Sequence, residues 1–295
     1  MERKASISVA GGIFWDIRGQ ASKGWISRDS QPGEVRYSPG GVARNIAENL
    51  ARLDIPVRLF GQIGHDRAGQ EMMNQLTALG VDTLGVGKSQ DQDTGTDLSL
   101  LDETGGLQAS ITDLSICEEL TPDWAQRQLA RIFPCEYLIL ETNLPVGTLQ
   151  TLILEANRRQ VPVVLDPVSQ PLAQRLASLR GNIFLFCPNE GEWNAFQQAS
   201  PSLHCQHILL TRGAQGLKWI NAQGQSIEQA ALPAEVKDLV GAGDSCLAAV
   251  VAALYRGATI AQALLAGAKA GAICVASTQT VAPDISAETV LAKRS

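Results

Sequence analysis

Short apolar runs alternate with longer amphipathic stretches along most of this chain of 295 residues. Runs of strand length fall at Ile7–Ala10, Val57–Gln62, Tyr137–Leu140, Val163–Asp166, Ile183–Cys187, His207–Thr211 and Leu217–Ile220. Apolar residues at helical spacing predict helices over Ala43–Leu53, Gly69–Leu79, Thr121–Ile132, Thr148–Arg159, Ser245–Arg256 and Ile260–Ser277. Strand followed by helix, repeated, implies a mostly parallel sheet covered on both faces. Ligands of such sheets bind beyond the carboxyl ends of the strands. Asp166 and Asn189 fall just after strand candidates, where chemistry can use them.

Two regions break the alternation. Ile17–Tyr37 and Thr94–Ile111 read as short strands and turns, the second as a hairpin turning at Asp102–Gly106. Together they predict a small β-sheet projecting from the body, over about residues 17–37 and 94–112. A sheet in that position can close over a substrate and exclude water. Surface decoration is the alternative reading.

Composition narrows the function classes. A hydrophobic content of 45% and a charged content of 18% are those of an ordinary soluble globular protein, and the formal charge is −6. That charge argues against a nucleic-acid polymer as partner, because phosphate backbones call for clustered Lys and Arg. A free nucleotide or sugar needs only a local positive site. The six cysteines are scattered without a CxxC pair, which points to buried free thiols in a reducing cytoplasm. The charged start of the chain gives way to an apolar run too short for a signal peptide, better read as a first strand over Ala5–Ala10. The longest apolar stretch, Cys246–Tyr255, is far below membrane-spanning length, so no membrane partner is expected.

The strongest chemical signal is Asp238-Leu239-Val240-Gly241-Ala242-Gly243-Asp244, running directly into an Ala-rich helix. Three small residues let backbone N–H groups approach an anion, and the helix N-terminus adds partial positive charge. A carboxylate placed there can accept a proton from an attacking hydroxyl. An Asp N-cap on a Gly-rich turn is the plainer reading of that segment alone. A second glycine pair, Pro39-Gly40-Gly41, precedes a helix carrying Arg44, Asn45 and Asn49. Asn45 there can hydrogen-bond a sugar hydroxyl, and Asp16, just past the first strand, can accept from two neighbouring hydroxyls.

Downstream, Asn189 and Glu192 stand three apart at a helix start, on one face. Glu192 can hold Mg²⁺ directly or through water; a capping box is the alternative. Thr211-Arg212-Gly213-Ala214-Gln215-Gly216 ends one strand and turns into the next, and its glycines allow Thr211 and the backbone close to nucleotide phosphates. Gly85-Val86-Gly87-Lys88-Ser89 has the ending of a P-loop but lacks its first glycine, Asp82 standing there. No Gly-x-Gly-x-x-Gly opens a helix after the first strand, which argues against a dinucleotide-dependent oxidoreductase.

These segments together resemble the PfkB-type carbohydrate kinases of the ribokinase-like fold, from Gly40-Gly41 near the start to Gly241-Ala242-Gly243-Asp244 near the end. The resemblance implies one α/β domain over residues 1–295, a three-layer α/β/α sandwich with a mostly parallel sheet and a small β-sheet lid. It implies ATP as donor, Mg²⁺ as cofactor and Asp244 as the base, with Gly241, Ala242 and Gly243 forming an anion hole. By the same matching, Asp16, Gly40, Gly41, Arg44, Asn45 and Asp166 bind substrate, and Asn189, Thr211, Gly213 and Gly216 bind the nucleotide. Glu192 serves the magnesium, and Asp238 with backbone carbonyls forms a potassium site. Within the family, residues 39–47, 98–105 and 166–169 look most like the pseudouridine kinases, Arg44 being the informative residue of the first. That implies phosphorylation of the 5′-hydroxyl of pseudouridine, with a ribokinase- or fructokinase-type activity, or a non-catalytic sugar or nucleoside sensor, as the alternatives. Lid strands with free edges suggest a homodimer. Two departures stand out. Leu239 occupies a position where the family usually has Thr, and Thr280-Val281-Ala282-Pro283 lacks the usual Gly-Ala pair.

Overall fold

Strands rich in Val, Ile and Leu with no polar alternation must be covered on both faces, and that requirement shapes the whole molecule. The computed structural model describes residues 6–291. Its strands are β1 Ile7–Ala10, β2 Phe14–Ala21, β3 Gly33–Gly40, β4 Val57–Ile63, β5 Asp82–Lys88, β6 Gly95–Leu101, β7 Leu107–Asp113, β8 Tyr137–Glu141, β9 Val163–Asp166, β10 Arg180–Phe186, β11 Ser202–Thr211, β12 Leu217–Asn221 and β13 Ser226–Gln229. The helices are α1 Val42–Arg52, α2 Arg67–Ala78, α3 Pro122–Ile132, α4 Val146–Arg158, α5 Gln170–Arg175, α6 Glu190–Gln198, α7 Ala242–Tyr255, α8 Ile260–Val275 and α9 Ala287–Val290.

The large sheet runs β13-β12-β11-β10-β9-β8-β1-β4-β5. From β11 to β5 every pairing is parallel, and the β12–β13 hairpin adds an antiparallel edge. Alternate residues of one strand feed opposite cores. Ile139 of β8 packs into a cluster with Ile46, Leu50 and Val250, whereas its neighbours Leu138 and Leu140 join Trp124, Leu149 and Phe196 on the other face. Helices α1, α2, α7 and α8 therefore cover one face and α3 to α6 the other, giving three layers.

The second sheet, β3-β2-β6-β7, is the expected lid. Register aligns its residues in rows across all four strands. Tyr37, Ile17, Leu98 and Ile111 form an apolar row on one face; Ser38, Asp16, Asp97 and Thr112 form a polar row on the other. Tyr37 and Ile111 are 62% and 70% exposed, so the apolar face looks outward.

Several boundaries differ from expectation. The P-loop-like segment is edge strand β5, with Gly85 and Gly87 lying against Phe60 and Gln62, a close approach that only glycine permits. Strand β11 begins at Ser202 rather than His207, because its first half alternates exposed and buried and lacks an apolar run. Of the first strand expected over Ala5–Ala10, Ala5 lies outside the described residues. No helix among the described residues is long and apolar enough to cross a membrane, and all six cysteines are free.

Candidate active site

The apolar α7 can be buried only if its start is entered by a sharp turn, and Gly241 supplies it. Gly241 caps α7 with φ of 79°, and a Cβ there would overlap the Thr280 carbonyl oxygen. Gly243, two residues on, has nothing within 4 Å of where its Cβ would be. Among the described residues, nothing accepts from the Gly243 and Asp244 amides, so the helix presents free donors to open space. Asp244 sits at this rim. Burial pushes its carboxyl up to about 6, while a hydrogen bond from Asn45 and the charge of Arg44 pull the other way. Asn45 Nδ2 donates to Asp244 Oδ2 at 2.7 Å.

Asn45 is itself held in place. Gly41 starts α1 with φ of 89°, and a Cβ there would lie 2.5 Å from the Gly12 oxygen and 2.8 Å from the Phe14 nitrogen. A Cβ on Gly40 would overlap the carboxylate of Asp16. This glycine pair thus lets α1 enter tight against the hinge of the lid. Arg44, expected among the substrate ligands, is instead 2% exposed and directed into the protein. Its guanidinium donates to Pro39 O and Gly40 O, each at 3.1 Å, to Asn45 Oδ1 and to Glu48. Its charge acts on Asp16 and Asp244, and its hydrogen bond reaches the site through Asn45, whose oxygen it holds so that the amide nitrogen faces Asp244.

Carboxylates crowd the strand ends around this pair. Asp16 is raised to about 6 and Asp166 well above its ordinary value, burial being the first cause in each. The charge of Asp244 adds to both shifts, which places all three groups within one field. Glu141, absent from the sequence-based set, joins them. It ends β8 directly beside Asp166 of β9, is 1% exposed, and is raised by burial to about 7. It accepts from the amides of Gly12 and, at 2.7 Å, Asn143, fixing the β1–β2 turn beneath Gly41. The strand-end rule that flagged Asp166 also applies to Glu141, which follows the apolar run Leu138–Leu140.

Next to Asp166 the chain is strained. Val168 holds φ of 60°, uncommon for a β-branched residue, and the Asp166 carboxylate accepts the Val168 amide at 2.8 Å. Val168, Ser169, Asn189 and Glu192 line an open cavity of about 550 Å³. Asn189 and Glu192 form the capping box of α6: Asn189 Oδ1 accepts the Glu192 amide at 2.9 Å and Glu192 Oε2 the Asn189 amide at 2.8 Å. Asn189 therefore stands ahead of the helix rather than on its face, and Glu192 Oε1 takes no hydrogen bond from a described residue. Among the described residues no three metal-ligating side chains are preassembled. Thr211 is bridged to Asn189, with its amide on Pro188 O at 3.0 Å. Beyond it Gly213 and Gly216 both have positive φ, of 53° and 90°. Asp238 Oδ1 accepts the Val240 amide at 2.9 Å and Oδ2 is paired with Arg18 of the lid.

A family model described as pfkB family carbohydrate kinase matches residues 13–287. The pseudouridine kinase of Escherichia coli (strain K12) is 26% identical over 306 residues, covering 99% of this chain and 97% of that protein. A carbohydrate kinase from Agrobacterium tumefaciens, solved as a structure, is 29% identical with a TM-score of 0.81, over 97% of this chain and 95% of that one. An Arabidopsis thaliana ribokinase complexed with ribose and ATP has a TM-score of 0.77 at 19% identity, over 98% of each chain, and bears on the fold alone. The sandwich and its lid are those of the ribokinase-like fold.

Proposed function

The chain belongs to the pfkB family of carbohydrate kinases, and from that premise we propose that it transfers the γ-phosphoryl group of ATP to the 5′-hydroxyl of pseudouridine. Membership makes it a phosphotransferase acting on a hydroxyl group of a small molecule. The observation that carries the catalytic part is the Asp244 carboxylate, held by Asn45 beside the free first-turn amides of α7. The nucleoside part is supported by near full-length similarity to a pseudouridine kinase and by the polar lid face above Asp16.

Phosphoryl transfer asks mainly for alignment and charge neutralisation. Asp16 accepts from ribose hydroxyls, with Gly40, Gly41 and Asn45 shaping the floor. Asp244, largely ionised at neutral pH, orients the 5′-hydroxyl and takes its proton as the oxygen attacks. The Gly243 and Asp244 amides face the charge that develops on the transferred group. Asn189, Thr211, Gly213 and Gly216 receive the nucleotide at the other end of the site, and Asp166 and Glu192 bound the phosphate channel between them. Glu192 Oε1 is the free oxygen that fits magnesium, which would arrive on the phosphates with much of its hydration and neutralise them. The remaining lone pairs of Asp238, with backbone carbonyls, would hold potassium where it binds. Two copies pair through the outward apolar face of the lid, in the cytoplasm.

ATP consumption measured against pseudouridine, uridine, adenosine, ribose and fructose tests the reading. Preference for pseudouridine is expected; activity confined to free sugars would refute the nucleoside assignment.

A further inference from the structure

Arg18 has a donor with no partner. It lies on β2 two residues after Asp16, so both side chains point to the same face of the lid, the one over the site. Its Nη1 is paired with Asp238 in the segment leading to Gly241. Its Nη2 is sealed from solvent and makes no hydrogen bond to any described residue. Asp16 Oδ2 stands 4.0 Å from it, within ion-pair reach but beyond hydrogen-bonding range.

An arginine meant only to neutralise a neighbouring carboxylate closes on it. Arg36, beside Arg18 in the register, does so, meeting Glu34 at 2.8 and 2.9 Å. Arg18 and Asp16 leave a gap instead, and the Asp16 carboxylate accepts no hydrogen bond from a described residue. A buried guanidinium N–H without a partner is costly and calls for an explanation. The gap is flanked on β6 by Asp97 and Ser99, the register partners of Asp16 and Arg18. Ser99 donates to Asp97 Oδ2 at 3.0 Å, and Thr112 and Ser110 donate to its Oδ1 at 2.5 and 3.3 Å, so Asp97 is taken up within the lid and leaves Nη2 for something that enters. Asp16 takes hydroxyl donors; Nη2 needs an acceptor, and a planar N–H fork suits a carbonyl oxygen.

We propose that Arg18 is a specificity-determining residue of the lid, whose Nη2 donates to a carbonyl oxygen of the substrate's nucleobase while Nη1 stays tied to Asp238. The inference rests on the nucleoside reading above. It gives the base a direct link, through one side chain, to the segment that carries the phosphoryl-binding turn. A free sugar has no base and cannot make the contact.

Calorimetric titration with pseudouridine and, separately, with a non-hydrolysable ATP analogue tests this on the wild type, Arg18→Ala and Asp238→Asn. Arg18→Ala should weaken pseudouridine binding roughly 10- to 100-fold, the loss of one hydrogen bond from a charged donor, and leave the nucleotide within about twofold. Asp238→Asn, which retains Nη2, should weaken pseudouridine binding by clearly less than Arg18→Ala does. Pseudouridine affinity unchanged in Arg18→Ala overturns the assignment. So does an equal loss for nucleoside and nucleotide, or equal nucleoside losses in the two variants, since Arg18 would then act through Asp238. A wild type that binds ribose but no pseudouridine overturns the nucleoside reading and this proposal with it, and is told apart by the wild-type titration alone.

Discussion

Replacing Asp244 with Asn should abolish turnover and yet stabilise the protein, by an amount that depends on pH. In the folded chain burial raises the Asp244 carboxyl from 3.8 to about 6. Below the lower value both folded and unfolded forms are protonated, and the group is neutral towards stability. Between the two values the folded form holds a proton that the unfolded form has lost. As pH rises through about 6 that preference is exhausted, and above it the folded state carries the full burden of a buried charge. A shift of roughly two units at about 1.4 kcal/mol each sets a ceiling near 3 kcal/mol. Asp244 is not wholly enclosed, so the realised gain is smaller. Its charge also raises Asp16, Glu141 and Asp166, and neutralising it relieves those three in the same direction. Thermal unfolding of wild type and Asp244→Asn at pH 4, 6 and 8 reads this out. The variant should melt up to about 6 °C higher at pH 8, at roughly 2 °C per kcal/mol, with the difference shrinking towards pH 4. Turnover should fall by about 10²–10⁴-fold. A melting difference that is flat across pH, or a variant less stable at pH 8, would show that Asp244 is not a strained buried carboxylate.

Other outcomes follow from single contacts. Asn45→Ala removes the hydrogen bond that lowers the Asp244 carboxyl, so the acidic limb of the kcat/KM profile should move up by about one unit; an unmoved limb would place the titration on another group. Gly241→Ala should lose at least about 2 kcal/mol in denaturant unfolding, from its positive φ and the overlap with Thr280. Gly243→Ala, with free space around it, should unfold like wild type yet lose about tenfold or more in kcat, because a methyl group enters the space offered to the phosphoryl group. The paired change Tyr37→Glu with Ile111→Glu puts charge on the outward lid face; sedimentation should show a dimer for the wild type and a monomer for this variant, and a monomeric wild type would refute the proposed pairing.

The body of the fold was legible because its strands are buried on both faces and read as apolar runs without context. Every one of the seven runs first identified lies within or overlaps a strand of the large sheet. Strands β5 and β13 escaped because edge strands half exposed to water need no such run. Asp82–Lys88 is also rich in glycine, a composition that suggests a loop. The lid was recognised from its broken periodicity, but which of its faces is apolar depends on register across four strands. No single strand of it displays that row.

The site was legible where its chemistry is local and illegible where it is relayed. Gly41, Gly241 and Gly243 report backbone needs at their own positions, so the motif containing each can be read in place. Arg44 is different. The family resemblance implies a substrate ligand there, but Pro39 O, Gly40 O, Asn45 and Glu48 take up its donors. The pairs that organise the centre join Asn45 to Asp244 across 199 positions, Gly12 to Glu141 across 129 and Arg18 to Asp238 across 220. Only the folded sheet brings them together. Their joint effect is a balance in the charge of one oxygen. Burial and the charge of Glu192 make Asp244 a stronger base than an exposed aspartate, and Asn45, together with the charge of Arg44, limits how far. Without that limit Asp244 would hold its own proton more tightly, and a protonated carboxyl cannot accept one from a hydroxyl.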